Sequence, residues 1–246
     1  MATRLVHLLF DSANPPSAAT FWANALGWEV AFESPEEAVV APAGFEYPGT
    51  WAVPLVFVPV PEPKTAKNRV HLDLTSTSLD DQAAKVERLL GLGATHVDVG
   101  QRDVPWVVMA DPQGNEFCVL EPRPVYRDTG PVAAIVVYCA DPDAMSRFWT
   151  LAAGWPVTNA NDDFVALRSA TGEGPFLELL RSDDPKRVKN RVHLDIAPFG
   201  SDDHAAEVAA LQAAGAKLAD VGQSGEESWT VMSDPDDQEF CVLTPR

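Results

Sequence analysis

Eight residues written twice constrain this chain more than any other feature. Lys67-Asn68-Arg69-Val70-His71-Leu72-Asp73-Leu74 returns as Lys189-Asn190-Arg191-Val192-His193-Leu194-Asp195-Ile196. With the period of two that a strand imposes, Val70, Leu72 and Leu74 point one way, and Arg69, His71 and Asp73 the other. One face is apolar and the opposite one ionisable. Such a strand fits a sheet with helices on its outer side and a concave, semi-polar pocket on its inner side. The repeat divides the 246 residues into two domains of ordinary size, 1–124 and 130–246, joined by the mixed-charge stretch Arg123 to Gly130.

Each half reads as two copies of one order. Arg4 to Phe10 alternates into a strand, and Pro15-Pro16 opens a helix carrying Ala18, Phe21, Trp22 and Leu26 that Gly27 closes. Three short strands follow: Trp28 to Glu33, Glu37 to Ala41 and Pro54 to Val60. The order βαβββ then recurs: a strand from Arg69 to Thr75, a helix from Ser78 or Leu79 to Leu90, and strands at Thr95 to Val99, Trp106 to Ala110 and Glu116 to Glu121. Asp111-Pro112-Gln113-Gly114 is a hairpin turn with proline and glycine where such turns accept them. After Gly130 the pattern restarts, with Phe148-Trp149 matching Phe21-Trp22, a last helix over Ser201 to Ala214, and strands at Trp229 to Ser233 and Glu239 to Thr244. The fold class is therefore α+β, a tandem duplication built from four βαβββ units.

Composition bounds the function classes. The formal charge of −18 repels phosphate backbones and anionic lipid, so neither nucleic acid nor membrane is an expected partner. No apolar run approaches the roughly 18 residues of a membrane span, and the N-terminus carries no apolar leader, which predicts a cytoplasmic protein. Cys118, Cys139 and Cys241 form no CxxC pair, so reduced thiols are expected rather than a disulfide scaffold.

Four βαβββ units with the His-Leu-Asp strand, the Leu92-Gly93-Ala94 step and the ending Asp111-Pro112-Gln113-Gly114-Asn115-Glu116-Phe117-Cys118-Val119-Leu120 resemble the glyoxalase, bleomycin-resistance and extradiol-dioxygenase superfamily, the vicinal oxygen chelate proteins. The resemblance spans nearly the whole chain. It implies that two units pair into one cup-shaped sheet and that inward residues on the first and fourth strands of each unit hold a divalent metal. The ligand positions fall on His7, about Val56, His71 and Cys118 in the first half, and on Ala134, about Glu178, His193 and Cys241 in the second. Neither half carries the full set. With units paired within each half, His7 and His71 form the candidate metal pair, completed by Cys118 or Glu116, and zinc, iron or manganese is the candidate cofactor, none being required. Pairing across the halves would instead bring His7 to His193, or His71 to Glu178.

Every candidate also has a plainer reading. His71 can hydrogen-bond Asp73, and Cys118 and Cys241 can be small apolar pocket residues. Arg69 and Arg191, with Lys64, Lys67, Lys186 and Lys189, either bind a carboxylate or phosphate or pair with Glu62, Glu116 or Asp184 and pin a loop across the sheet. Trp106 and Trp229 are candidates to stack on a flat ligand, or are packing. The expected function is binding of a small, mostly apolar organic molecule in the cup, as in the bleomycin-resistance branch. The alternatives are a metal-dependent lyase, isomerase or ring-cleaving dioxygenase with Glu116 as general base, and a regulatory or structural module. A homodimer is compatible with the sequence.

Overall fold

A computed structural model describes residues 3–246. Unit one comprises β1 (Thr3–Ser12), α1 (Pro15–Leu26), β2 (Glu29–Glu33), β3 (Ala38–Ala41) and β4 (Leu55–Pro59). Unit two comprises β5 (Val70–Leu74), α2 (Leu79–Gly91), β6 (Thr95–His96), β7 (Val107–Ala110) and β8 (Glu116–Val119). A 3-10 turn at Pro124–Tyr126 leads to unit three: β9 (Val132–Cys139), α3 (Pro142–Ala153), β10 (Val157–Ala160), β11 (Phe164–Arg168) and β12 (Phe176–Arg181). Unit four is β13 (Val192–Pro198), α4 (His204–Ala213), β14 (Lys217–Leu218), β15 (Thr230–Ser233) and β16 (Glu239–Val242). The four βαβββ units are those expected. Local chemistry sets their ends: the Asn14 side chain accepts from the Ser17 N–H, Pro15 and Pro16 fill positions that need no donor, and Gly27 takes the left-handed φ of 67° that closes α1. The last helix starts later than Ser201 because Asp203 is its cap, accepting from the Ala205 and Ala206 N–H groups.

The pairing of units differs from the expectation. One eight-stranded sheet runs β14-β15-β16-β13-β1-β4-β3-β2 and the other β10-β11-β12-β9-β5-β8-β7-β6, so each joins a unit of the first half to a unit of the second. Neither sheet is confined to 1–124 or 130–246. β9 lies beside β5 in one sheet: the two pair antiparallel, Val70 opposite Val137. The two chain ends then pair with each other, β1 antiparallel to β13 with Thr3 opposite Pro198 and Phe10 opposite Val192. The repeated arginines clamp both seams. Arg69 donates to the Tyr138 carbonyl and Arg191 to the Asp11 carbonyl, 2.8 Å each. The second sheet is thus a contiguous segment, Val70 to Arg181, nested inside the first.

A single apolar core lies between the convex faces of the two sheets, with α1 and α3 in it. Phe21 and Trp22 of α1 pack on Phe117 of β8 in the other sheet, at ring separations of 6.3 and 5.2 Å, and the Trp22 indole donates to the buried Asp111 carboxylate at 3.1 Å. In the symmetry-related place Phe148 and Trp149 meet Phe240 at 5.6 and 5.5 Å, and Trp149 donates to Asp234 at 3.2 Å. These Phe-Trp pairs are the packing residues that their helical spacing indicated. All three cysteines are free and buried, and among the described residues no helix is long and apolar enough to cross a membrane.

Candidate functional site

Alternation sends Leu72, Ile135, Leu177 and Leu179 into the shared core and turns the residues between them onto the concave faces. In the nested sheet the register then builds three rows: Cys118, Asp73, Ala134 and Phe176; His71, Val136, Glu178 and Ala166; Tyr138, Leu180 and Phe164. The outer sheet repeats two of them as Cys241, Asp195 and His7, and as His193, Leu9, Val56 and Val39. His7 therefore replaces Ala134, and Val56 replaces Glu178. His7 and His71 lie in different sheets and are not brought together, which removes the metal pair expected from pairing within each half. The exchange joins His7 to His193 and His71 to Glu178 instead.

The cup of the nested sheet is an open concavity of about 310 Å³, with Trp106, Phe164, Phe176 and Leu180 among its apolar walls. Its polar groups converge from three strands and one turn. The Tyr126 hydroxyl donates to Glu178 Oε1 at 3.0 Å, and the Tyr126 ring meets Phe176 edge-on at 5.7 Å. His71 Nε2 is 3.4 Å from Asp73 Oδ1, and the imidazole stacks on Tyr138 with ring centres 5.3 Å apart. Burial, reinforced by the Asp73 charge, pushes the Glu178 carboxyl from its ordinary 4.5 up to about 7, against the opposing hydrogen bond from Tyr126 and the cations Arg123 and His71. Burial and then Asp73 also push the Cys118 thiol up, so it stays protonated near neutral pH.

The outer cup repeats the polar cluster. His7 Nδ1 is 3.8 Å from Asp195 Oδ2, and His193 Nε2 is 3.5 Å from both Asp195 Oδ1 and Cys241 Sγ. Tyr47, from the loop after β3, stands edge-on to His7 at 5.8 Å and donates its hydroxyl to the Val6 carbonyl at 3.0 Å. Asp195 is 1% exposed, and its Oδ1, like Asp73 Oδ1 and His193 Nδ1, has no hydrogen-bond partner among the described residues. An unpartnered buried carboxylate oxygen beside an imidazole and a thiol fits a divalent cation. His71, Asp73 and Cys118, and again His193, Asp195 and Cys241, offer nitrogen, oxygen and sulfur within 4.8 Å of one another, a set that suits zinc. His7 adds a nearby nitrogen in the outer cup.

Other candidates are engaged elsewhere. Glu116 accepts from Lys64 Nζ at 2.6 Å and from the Asn68 N–H at 3.2 Å, so both oxygens of the expected general base hold the loop before β5. Glu239 repeats this with Lys186 and Asn190 at 2.6 and 3.1 Å. Arg69 also donates to the Asp184 carbonyl and Arg191 to the Glu62 carbonyl, each at 2.5 Å, which realises the loop-pinning reading chiefly through backbone acceptors, with the Asp236 carboxylate 3.5 Å from Arg69. Trp106 lines the open cup, its indole donating to Gln101 at 2.9 Å, whereas Trp229 is 45% exposed. Tyr126, Tyr138, Phe164 and Phe176 were absent from the sequence-derived site. Tyr126 lies in the stretch read as a linker, and only the register of β9 against β5 shows that Tyr138 faces inward.

A family model described as "Glyoxalase-like domain" matches residues 7–120 and again 134–243. Among solved structures, glyoxalase I from Zea mays is 13% identical with a TM-score of 0.69, over 99% of this chain and 92% of that one. A putative dioxygenase from Bacillus subtilis is 14% identical with a TM-score of 0.63, over 99% of this chain and 85% of that one. At such identities the likeness is one of fold. No curated protein matches the sequence significantly.

Proposed function

Because the chain belongs to the glyoxalase-like domain family, we propose that its open cup binds a small, mostly apolar organic molecule bearing one or two polar groups. The observation that carries this reading is the contrast between the cups: one is an aromatic-lined concavity with a carboxyl at its centre, and the other has Tyr47 standing against His7. Apolar walls supply affinity, and the few convergent polar groups fix orientation. The neutral fluorophore N-phenyl-1-naphthylamine tests it. We expect one equivalent bound per chain, abolished by Ala166→Trp, which fills the concavity from its own floor, and unchanged by His7→Ala in the outer cup. Binding that survives Ala166→Trp, or no binding at all, refutes the reading.

The position of Glu178 favours catalysis as a second reading. A carboxyl titrating at about 7 both accepts and releases a proton near neutrality, and the Tyr126 hydroxyl holds it in the cup. His71 and Asp73 stand on β5, across β9 from Glu178, to orient a substrate hydroxyl or carbonyl. A divalent ion on His71, Asp73 and Cys118 would add Lewis-acid polarisation of a substrate oxygen. Elemental analysis of protein purified without a histidine tag, then titrated with zinc, checks that part. Zinc retained by the native chain and lost in His71→Ala and Cys118→Ser supports it, and retention unchanged in both counts against it.

A further inference from the structure

The two cups differ at one rim position in a way that the function proposed above does not use. Asp11 and Tyr138 occupy equivalent places on β1 and β9, four residues beyond His7 and Ala134. Lys189 and Lys67 are likewise equivalent in the repeated octapeptide. In the outer sheet Lys189 Nζ is neutralised by Asp11 Oδ2 at 2.8 Å. In the nested sheet the partner carboxylate has become a phenol ring, and Lys67 Nζ sits 4.6 Å from the Tyr138 ring centre. Among the described residues no carboxylate lies within ion-pair distance of Lys67.

Tyr138 lines both the open cup and a second, larger groove of about 450 Å³ formed where the loops before β5 and β13 meet. That groove is lined by Lys67, Arg69, Lys186, Arg187, Lys189 and Arg191 against the carboxylates of Asp11, Glu62 and Asp184, six cations to three anions in a chain of net charge −18. Lys186 and Lys189 are spent on Glu239 and Asp11, Arg191 on backbone carbonyls, and Arg69 on backbone carbonyls and Asp236; of the two cations left, Lys67 and Arg187, it is Lys67 that lies against Tyr138, the residue shared with the cup. Deeper in, Asp73 and Glu178 repel an anion, and Arg123, the cation that lines the cup itself, is held by both oxygens of Glu121 at 2.6 and 3.2 Å, so a negative head group is favoured at the Tyr138 end.

We propose that the open cup is selective for small organic anions, with a ring-sized apolar body against Phe164, Phe176, Leu180 and Trp106 and a carboxylate, sulfonate or phosphate head on Lys67 at the Tyr138 rim. This rests on the open cup being the binding site. An ammonium above an aromatic ring keeps its donors directed at a ligand while the ring holds its stem, and a charge at a cup rim acts on selectivity.

A matched pair of dyes separates the two claims, since 1-anilinonaphthalene-8-sulfonate is N-phenyl-1-naphthylamine with one sulfonate added. In the full chain, Lys67→Gln is expected to weaken the sulfonate dye about tenfold while the neutral dye changes by less than about twofold, with Lys67→Arg restoring most of the loss. Lys189→Gln, at the neutralised equivalent, is expected to change neither. If the neutral dye binds in the cup and Lys67→Gln leaves the sulfonate affinity unaltered, the anion inference is overturned and the cup remains the site. Equal weakening of both dyes by Lys67→Gln, or an equal effect of Lys189→Gln, also overturns it. If neither dye binds the native chain, the cup is not the site and both proposals fall.

Discussion

Replacing Glu178 by glutamine isolates one carboxyl in the stability of the whole chain. The ordinary glutamate value is 4.5 and the folded one about 7. The folded state therefore holds the proton more tightly than the unfolded chain, so this group's stabilising contribution is complete below pH 4.5 and is lost as pH rises through 7. At about 1.4 kcal/mol per pH unit the difference is about 3 kcal/mol, and residual exposure of the side chain lowers it to roughly 2–3 kcal/mol. Glu178→Gln keeps an acceptor for the Tyr126 hydroxyl and removes the ionisation, so it is expected to gain stability over the native chain at pH 8 and to match it near pH 4.5. Urea denaturation of both proteins at several pH values measures this as the difference between their curves, in which Asp234, also pushed up to about 7 by burial, cancels. Parallel curves for the two proteins would refute the argument, because Glu178 would then ionise as it does in water.

Three further outcomes follow from the nesting and the seams. A fragment of residues 64–191, which holds all eight strands of the nested sheet, is expected to be soluble with strand-type circular dichroism and a lowered Tm, whereas residues 1–124 alone are expected to aggregate; a cooperative melt of 1–124 would contradict the pairing. Gly174 has φ +79°, and a Cβ there would come within 2.1 Å of the Thr50 carbonyl oxygen, so Gly174→Ala is expected to lower the Tm by several degrees in calorimetry. Arg191→Lys gives up the forked donation to the Asp11 and Glu62 carbonyls and is expected to cost about 1–3 kcal/mol in urea unfolding without changing dye affinity in the open cup.

The units were legible because each carries its own punctuation: paired prolines and an asparagine at one helix start, glycine at its end, and period-two alternation in between. Glu178, put at an inward position by the resemblance, lines the open cup. Pairing between units was not legible, because the four first strands are chemically alike and any two can share a seam. Each seam is held by the reach of Arg69 or Arg191 to a carbonyl on the neighbouring strand, and backbone acceptors leave no mark in a sequence. The misplaced metal pair was a direct consequence, since His7 and His71 are partners only if units one and two are. The pairing of Lys64 with Glu116, one of the two readings open in the sequence, is the one the structure holds.

The nested topology also sets an order of events during synthesis. The strands of the inner sheet emerge one after another, and each finds its partners within the segment already made. Thr3, by contrast, pairs with Pro198, so β1 leaves the ribosome long before β13 exists. Joining such distant ends costs little extra entropy at equilibrium, because closure grows only with the logarithm of the loop. In time it costs more: the edge of β1 that takes β13 waits unpaired until the final unit is translated. The N-terminal quarter is thus the part of the nascent chain most in need of protection, and slowing translation within the last unit lengthens its exposure.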